Sequence, residues 1–374
     1  MKRKFEYADR PKGPHYNREP YRLSTDQWPK SLQGEFAEYR YWRTAAFVPG
    51  RPRQRRQRES TFQKTIIEFE AYFGYLVNIA GHEAASLELK NICNPGWLSA
   101  YANWHAENRT GGEPSRFLQK TLGDFLVVAR YYFVVDNSTL KAVTDLKAEV
   151  TPDITRDERD RWNSLMTLEG VGLAVYPDGR RFPNGVYAAL AAQTSLIIRL
   201  LVRRPLRSRN IREMRLGRNL YKAAGVWMIH FQGDELKVAR RDGRENLYKV
   251  AFPFDLEEDL EEFLGEWRPL LDTHGSEFVF LSRMGEQLSQ VALYKQIAKA
   301  AYEYTGQATN PHLIRHIWAT EFITATQNFT TMAVMLGDEL ETVLRRYAHL
   351  RTLDAGQQAD EFFAALPKQD DATM

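Results

Sequence analysis

One stretch near the end of the sequence, residues 310–350, constrains this chain more than any other. It reads NPHLIRHIWATEFITATQNFTTMAVMLGDELETVLRRYAHL. Its apolar residues recur at helical spacing, and Gly337 interrupts the pattern where a helix would end. The pattern predicts a helix, a turn and two shorter helices. This arrangement would bring Arg315 and Tyr347 to the same surface.

A guanidinium beside a phenol suits attack on a phosphodiester by a tyrosine. Arginine binds two phosphate oxygens in a fixed fork, keeps its charge and stabilises the transition state. His312 and His316 surround Arg315 in a His-x-x-Arg-His cluster. The pattern therefore predicts a phosphoryl-transfer site in which Tyr347 is the nucleophile. The structural alternatives are a salt-bridged arginine and a tyrosine packed at a helix end.

This stretch resembles the tyrosine recombinase (phage integrase) family. The family pattern is H-x-x-R-H, then L-G-H, then a tyrosine nine residues beyond that last histidine. Here residues 312–316 (HLIRH) match the first part, and residues 336–338 (LGD) match the second with one change. Tyr347 lies nine residues beyond Asp338. The resemblance implies an α+β fold: mainly α-helical, with a small antiparallel β-sheet, and a helical core-binding domain preceding a catalytic domain.

Within that resemblance, two arginines flank the scissile phosphate. Arg315 is one, and Arg207, in a turn before a predicted helix, is the candidate for the other, with a surface arginine as the alternative. Tyr347 forms a 3′-phosphotyrosyl link. A free phenol has a pKa of about 10, and we expect the neighbouring Arg345 and Arg346 to favour the phenolate.

The resemblance also assigns proton-transfer roles. His312 is a general base or orients the phosphate, with a packing histidine as the alternative. Lys237, in a predicted hairpin, protonates the departing 5′ oxygen. A longer turn follows it, so a group of nearby arginines could reach the phosphate instead: Arg240, Arg241 and Arg244. His316 is predicted to face a different side of its helix and either to support the residues that contact the phosphate or to be structural.

Asp338 departs from the family pattern, which has His or sometimes Trp there as a hydrogen-bond donor to the phosphate. An ionised Asp accepts hydrogen bonds only and repels phosphate oxygens. Asp338 could be protonated near the phosphate, could pair with Arg315 or Arg207, or could point away while His349 substitutes for it. This change puts the reaction rate in question more than the mechanism.

Length and composition fit a two-domain globular protein. The chain has 374 residues, 43% hydrophobic and 26% charged, and we find no apolar run of about 18 residues that would span a membrane. With one cysteine, Cys93, and no apolar signal segment after the N-terminus, we expect a cytoplasmic protein. The net charge is +3, but arginines cluster in 51–58 and 203–218, which predicts a localised phosphate-binding face or a solvated charged surface.

The predicted organisation has four parts. They are a basic N-terminal arm (1–57), a helical core-binding, DNA-binding domain (58–150), a catalytic domain (151–352) and a C-terminal tail helix (353–374). We expect the arm to contact DNA, with a disordered linker as the alternative, and residues 135–152 to connect the two domains. Short β-rich runs (VWMIHF, LKVA and LYKVAFP) predict a three-stranded meander within 226–253.

The function implied is site-specific recombination or integration of double-stranded DNA, by a homo-oligomer, expected to be a tetramer. The bond energy is kept in the phosphotyrosine, so neither ATP nor a metal cofactor is implied. Two alternatives stay open. One is a type IB topoisomerase-like nicking-closing enzyme, and the other is a DNA-binding protein of the same fold with impaired catalysis, for which Asp338 is the main argument.

Overall fold

The structure, a computed structural model, describes residues 20–52, 55–152, 161–179, 185–237, 240–241 and 244–348. These residues form two compact units, which we name the helical unit (20–152) and the mixed unit (161–348). The predicted fold class is confirmed, because α-helices predominate and the strands form a small antiparallel sheet. The predicted tail helix (353–374) and the start of the predicted arm lie outside the described residues.

Three of the five helices of the helical unit begin at a residue whose side chain caps them. Asn94, Ser115 and Asp136 each accept a hydrogen bond from a backbone N–H in the following turn, at 3.2, 3.4 and 2.9 Å. Such caps satisfy N–H groups that have no partner within the helix. The helices are α1 (Lys30–Thr44), α2 (Glu59–Asn78), α3 (Pro95–His105), α4 (Arg116–Val127) and α5 (Asn137–Glu149).

Aromatic rings dominate the core of the helical unit. Phe69 of α2 lies 5.0 Å from Phe36 of α1 and 5.0 Å from Phe125 of α4, measured between ring centroids. Val143 of α5 is buried in the same cluster. The predicted boundary at residue 57 therefore lies inside this unit, and the predicted connection at 135–152 is largely a packed helix. Apolar residues before residue 57 and within 135–152 are buried in this core.

The arginine-rich run 51–58 makes contacts inside the protein. Arg51 donates to the carbonyl oxygen of Ala45 at 2.8 Å, and Arg56 donates to that of Thr44 at 3.3 Å. Arg55 donates to the Tyr131 hydroxyl at 3.0 Å. Arg51 and Arg56 thus satisfy carbonyl groups at the C-terminus of α1, where positive charge is favourable. These contacts give the run a structural role that the sequence analysis did not predict.

The mixed unit has a larger apolar core, to which both helices and strands contribute buried residues. Its helices are α6 (Leu165–Gly179), α7 (Gly185–Arg203), α8 (Ser208–Glu213), α9 (Glu257–Glu262), α10 (Gln290–Thr305), α11 (Pro311–Thr326), α12 (Phe329–Leu336) and α13 (Leu340–Tyr347). Its strands are β1 (Leu220–Ala223), β2 (Val226–Gln232), β3 (Arg240–Arg241), β4 (Arg244–Glu245) and β5 (Leu247–Ala251).

The sheet is a three-stranded antiparallel meander in the order β1-β2-β5, but its first strand differs from the prediction. β1 precedes the predicted region and pairs Ala223 with Val226 across a two-residue turn. That turn, Ala224-Gly225, has φ values of 49° and 83°, and alanine rarely adopts a positive φ. Of the predicted strand LKVA, Leu236 and Lys237 lie outside any strand. β3 and β4 form a separate small ribbon.

Helix α7 corrects the expectation about apolar runs. It has 19 residues and a mean hydropathy of 1.6, enough by length and composition to cross a membrane. Most of it is buried within the mixed unit, where Leu196, Ile197 and Leu200 join the core. Arg199 forms an ion pair with Glu169 of α6 at 2.9 Å. These contacts are those of a core helix.

Candidate active site

Helices α11, α12 and α13 form the framework of the site. Asn310 caps α11 by accepting from the N–H groups of His312 and Leu313, both at 3.0 Å. Gly337 ends α12 with φ 55°, and the following N–H, of Asp338, donates back to Ala333 at 3.0 Å. The three helices share one apolar cluster. This is the predicted helix, turn and two shorter helices, and it is confirmed.

Arg315 is held rigidly within this framework. Its side chain is 9% exposed and donates to the carbonyl oxygens of Pro205 and Leu336, the latter at 2.6 Å. A third hydrogen bond, also 2.6 Å, goes to Oδ2 of Asp338. Burial and the neighbouring Arg207 lower the pKa of Arg315 to about 10, against the opposing effect of Asp338. The guanidinium is therefore still charged at neutral pH.

Arg207 meets Arg315 at one carboxylate. It occupies the N-cap position of α8, as predicted from the turn before that helix. Its guanidinium donates to the Gly337 carbonyl oxygen at 3.2 Å and to Oδ1 of Asp338. Asp338 thus bridges the two arginines, one through each oxygen. Three possibilities were considered for Asp338. The structure shows the one in which it pairs with arginine, and it pairs with both Arg207 and Arg315.

Tyr347 ends α13 with its ring in the apolar cluster shared by the three helices. Burial raises the pKa of Tyr347 above its usual value, while Arg346 and Arg315 lower it and Asp338 raises it further. Arg346 thus favours the phenolate as expected, but burial has the larger effect and the net shift of the pKa is upward. Arg345 instead pairs with Glu341 on the exposed side of α13, at 2.8 Å.

The sequence analysis missed the role of His316. Its Nδ1 lies 3.0 Å from the Tyr347 hydroxyl oxygen, and its Nε2 lies 2.8 Å from Nη2 of Arg346. Burial, together with nearby Arg346, lowers the pKa of His316 to about 4. The available signal was the four-residue spacing from His312, which puts both imidazoles on one face of α11. Their ring centroids are 4.6 Å apart.

The structure brings five of the six candidate residues together. Arg315, Asp338 and Tyr347 line one small cavity with His312, which is exposed at the start of α11, and Arg207 joins them through Asp338. Lys237 is the exception, since it lies exposed after the turn that follows β2 and has no hydrogen-bond or ion-pair partner among the described residues. His349 lies outside the described residues.

The part of the chain that holds this site is similar to known proteins. The phage integrase family profile matches residues 182–353, a span that contains all six candidate residues. The tyrosine recombinase XerC of Vibrio vulnificus (strain YJ016) is 26% identical over 171 residues, 44% of this chain and 51% of the relative. XerC of Pseudomonas putida (strain W619) is 31% identical over 72 residues, 19% of this chain and 24% of the relative. The chain thus spans about half or less of the length of the relatives it matches.

The fold has relatives among solved structures. One is a complex of the Tn1549 transposon integrase with transposon right end DNA, with a TM-score of 0.58 and 12% sequence identity. The match covers 90% of this chain and 100% of that one. At this identity the likeness concerns the fold, while the matched profile and the aligned XerC segments concern the sequence. Together they show that residues 182–353 match the phage integrase family and that segments of this chain are similar in sequence to XerC tyrosine recombinases.

Proposed function

We propose that this protein is a site-specific DNA recombinase or integrase that acts on double-stranded DNA in the cytoplasm. In each cleavage, the Tyr347 oxygen bonds to the scissile phosphorus and the bond from phosphorus to the 5′ oxygen breaks. The phenol proton is lost and the 5′ oxygen gains one. A 5′-hydroxyl from a partner duplex then attacks the 3′-phosphotyrosine and releases Tyr347. The energy of the phosphodiester is retained throughout.

The observation that carries this proposal is the anion held between two arginines beside Tyr347. The Asp338 carboxylate accepts from Arg207 through one oxygen and from Arg315 through the other. Two non-bridging oxygens of a phosphate require the same pair of donors. Arg315 and Tyr347 line the same cavity, so a phosphate that replaced this carboxylate would lie near the phenol. The two guanidiniums would then stabilise the charge of the transition state.

We assign the remaining roles by chemistry. His312 is exposed at the cavity and contacts a phosphate oxygen or accepts the proton of Tyr347. Lys237 is the general acid for the departing 5′ oxygen. Its position on an exposed segment between β2 and the β3-β4 ribbon fits a group that reaches its target only when DNA is bound. Arg244 at the start of β4 is also exposed and is the alternative cation.

Covalent capture on denaturing gels tests this function. The substrate is a nicked duplex taken from the flanks of the protein's own gene, labelled in turn at the 5′ end and the 3′ end of the cleaved strand. We expect wild type to retain the 5′-labelled fragment covalently and to release the 3′-labelled fragment with a free 5′-hydroxyl. Tyr347→Phe forms no adduct, while Tyr41→Phe, at an exposed tyrosine of the helical unit, behaves as wild type. Adduct formation by Tyr347→Phe would contradict the assignment.

The Asp338 bridge also favours a second candidate, a DNA-binding protein of this fold with impaired catalysis. In that case the carboxylate excludes the scissile phosphate permanently. Asp338→His restores the residue type usual in the family and removes the negative charge. An adduct in Asp338→His with none in wild type, on the same DNA, would support this second candidate. Adducts in both would support the recombinase.

We further propose that recombination requires a homotetramer assembled on two DNA duplexes. The reaction exchanges strands, so one active site is needed for each cleaved strand. Sedimentation of the protein with its DNA site would reveal this assembly, and conversion of two labelled duplexes to a recombinant product would report strand exchange. Relaxation of supercoiled plasmid by a monomer, without exchange, would instead support a topoisomerase-like activity.

A further inference from the structure

We propose that His316 donates a hydrogen bond from Nδ1 to the Tyr347 hydroxyl oxygen, and that Arg346 holds the imidazole in the tautomer required. This inference rests on the proposed role of Tyr347 as nucleophile. It gives the site a donor aimed at the nucleophilic oxygen. Arg346 is then a positioning residue, because it acts on Tyr347 through His316.

His316 lies between the Tyr347 hydroxyl and the Arg346 guanidinium. Nδ1 is 3.0 Å from the Tyr347 oxygen and Nε2 is 2.8 Å from the Arg346 guanidinium. The ring is partly buried, and His312 lies against it one helical turn earlier, with ring centroids 4.6 Å apart. Both imidazole nitrogens are therefore engaged, and the orientation of the ring is fixed by contacts at its two ends.

Arg346 decides which nitrogen carries the proton. A guanidinium only donates hydrogen bonds, so Nε2 of His316 must accept and cannot carry a proton. A neutral imidazole has one proton, which must then be on Nδ1. Burial and the surrounding cations keep the pKa of His316 at about 4, so the ring is neutral at the pH of the cell. Nδ1–H is consequently the donor and the Tyr347 oxygen is the acceptor.

A donor at this position lowers the energy of the Tyr347 phenolate in both the cleavage step and the joining step. It stabilises the phenolate as Tyr347 loses its proton, and it stabilises the same phenolate when Tyr347 departs in the joining step. His316 cannot itself take the phenol proton, because Nδ1 is occupied and Nε2 is bound to Arg346. Its role therefore differs from that of a general base. Burial raises the pKa of Tyr347 and so makes its phenolate harder to form. The Nδ1–H donor counteracts this effect.

The first test measures the tautomer without DNA. Long-range proton–nitrogen correlations in histidine-labelled protein report which ring nitrogen carries the proton, and His316→Asn identifies the His316 signals. We expect Nδ1–H in wild type and a mixture of tautomers in Arg346→Met. The matched control is Arg345→Met, an adjacent arginine that pairs with Glu341 and should leave the tautomer unchanged. A proton on Nε2 in wild type would overturn the proposal.

The second test measures the rate of covalent-adduct formation at saturating DNA between pH 6 and pH 10, taken as a range around the phenol pKa of about 10. Asn presents an N–H near the position of Nδ1, whereas Ala presents none. We expect His316→Ala to lose about 10- to 150-fold at neutral pH, the effect of one hydrogen bond to a charged group. His316→Asn should recover most of that loss.

The pH profile separates this role from a structural one. The charged or titratable groups around Tyr347 lie on its own helix, on α11 and in the preceding loop: Arg346, His312, Arg315, His316 and Asp338. Without the donor the phenolate forms at higher pH, so the deficit of His316→Ala should shrink as pH rises. An equal deficit at every pH, or a His316→Asn variant as slow as His316→Ala, would overturn the proposal. If wild type forms no adduct, the proposed function fails, and the tautomer measurement still decides the hydrogen bond.

Discussion

Replacing Asp338 by Asn tests whether the carboxylate occupies the place of the scissile phosphate. In wild type it forms ion pairs with Arg207 and with Arg315, and its side chain is 19% exposed. Asparagine keeps the size of the side chain but removes its charge and one acceptor oxygen. Two guanidiniums then face each other without an anion. We expect the free protein to become less stable and more responsive to added anions.

The magnitude follows from the two bonds. A hydrogen bond to a charged group contributes about 1.5–3 kcal/mol, but both bonds share one partly exposed carboxylate, so their loss should cost about 2–4 kcal/mol in total. A domain of about 200 residues loses about 2–4 °C in Tm for each kcal/mol. The Tm of the mixed unit should therefore fall by about 4–16 °C. Sulfate at 100 times its Kd should restore about 2.7 kcal/mol.

The assay is urea and thermal unfolding in a low-salt buffer without oxyanions, repeated with sulfate. Glu169 provides a matched control, because it also bridges two arginines, Arg199 and Arg203, and is 13% exposed. Glu169→Gln should lose comparable stability without gaining a specific response to sulfate. Asp338→Asn should also bind a nicked duplex more tightly than wild type, since the phosphate no longer displaces a carboxylate.

Two results would refute this reasoning. One is an Asp338→Asn variant as stable as wild type, which would mean that the bridge contributes nothing to the free protein. The other is an equal sulfate response in Asp338→Asn and Glu169→Gln. That outcome would mean that the two site arginines are not available to an anion once the carboxylate is neutralised.

Three further predictions concern other parts of the chain. Gly74→Ala should destabilise the helical unit by about 3 kcal/mol or more in urea unfolding, because its added carbon would lie 2.2 Å from the Tyr21 carbonyl oxygen; Gly34→Ala, in open space on α1, should instead stabilise by about 0.5–1 kcal/mol. Burial lowers the pKa of His105 to about 4, below its unfolded value of about 6.5. Above pH 6.5 the ring is neutral in both states, so this group does not change stability. As pH falls towards 4 the unfolded state alone takes up the proton, which costs about 3 kcal/mol in all, and His105→Gln should flatten that slope in urea titrations. Arg315→Lys should slow adduct formation by about 100-fold or more because lysine lacks the planar fork, while Arg209→Lys, at an exposed arginine paired with Glu213, should not slow it.

The sequence by itself determined the helices around the site and the spacing along the chain that brings Arg315 and Tyr347 to one surface. The apolar spacing of 310–350 and the break at Gly337 are local signals, since each acts within a few residues along the chain. They predicted that Arg315 and Tyr347 would share a surface, and these two residues line one cavity. The turn before α8 likewise identified Arg207 as a candidate.

The tertiary structure alone decided the contacts between side chains distant in sequence. Asp338 meets Arg207 across 131 residues and His316 meets Tyr347 across 31, and no local pattern encodes such pairs. The internal contacts of Arg51 and Arg56 were not predicted for the same reason, because their partners are carbonyl groups at the end of a helix. The strand β1 was missed because Ala224 adopts a positive φ that its residue type disfavours. Charge and periodicity in the sequence identify the candidate site residues, whereas tertiary packing determines which of their side chains are in contact.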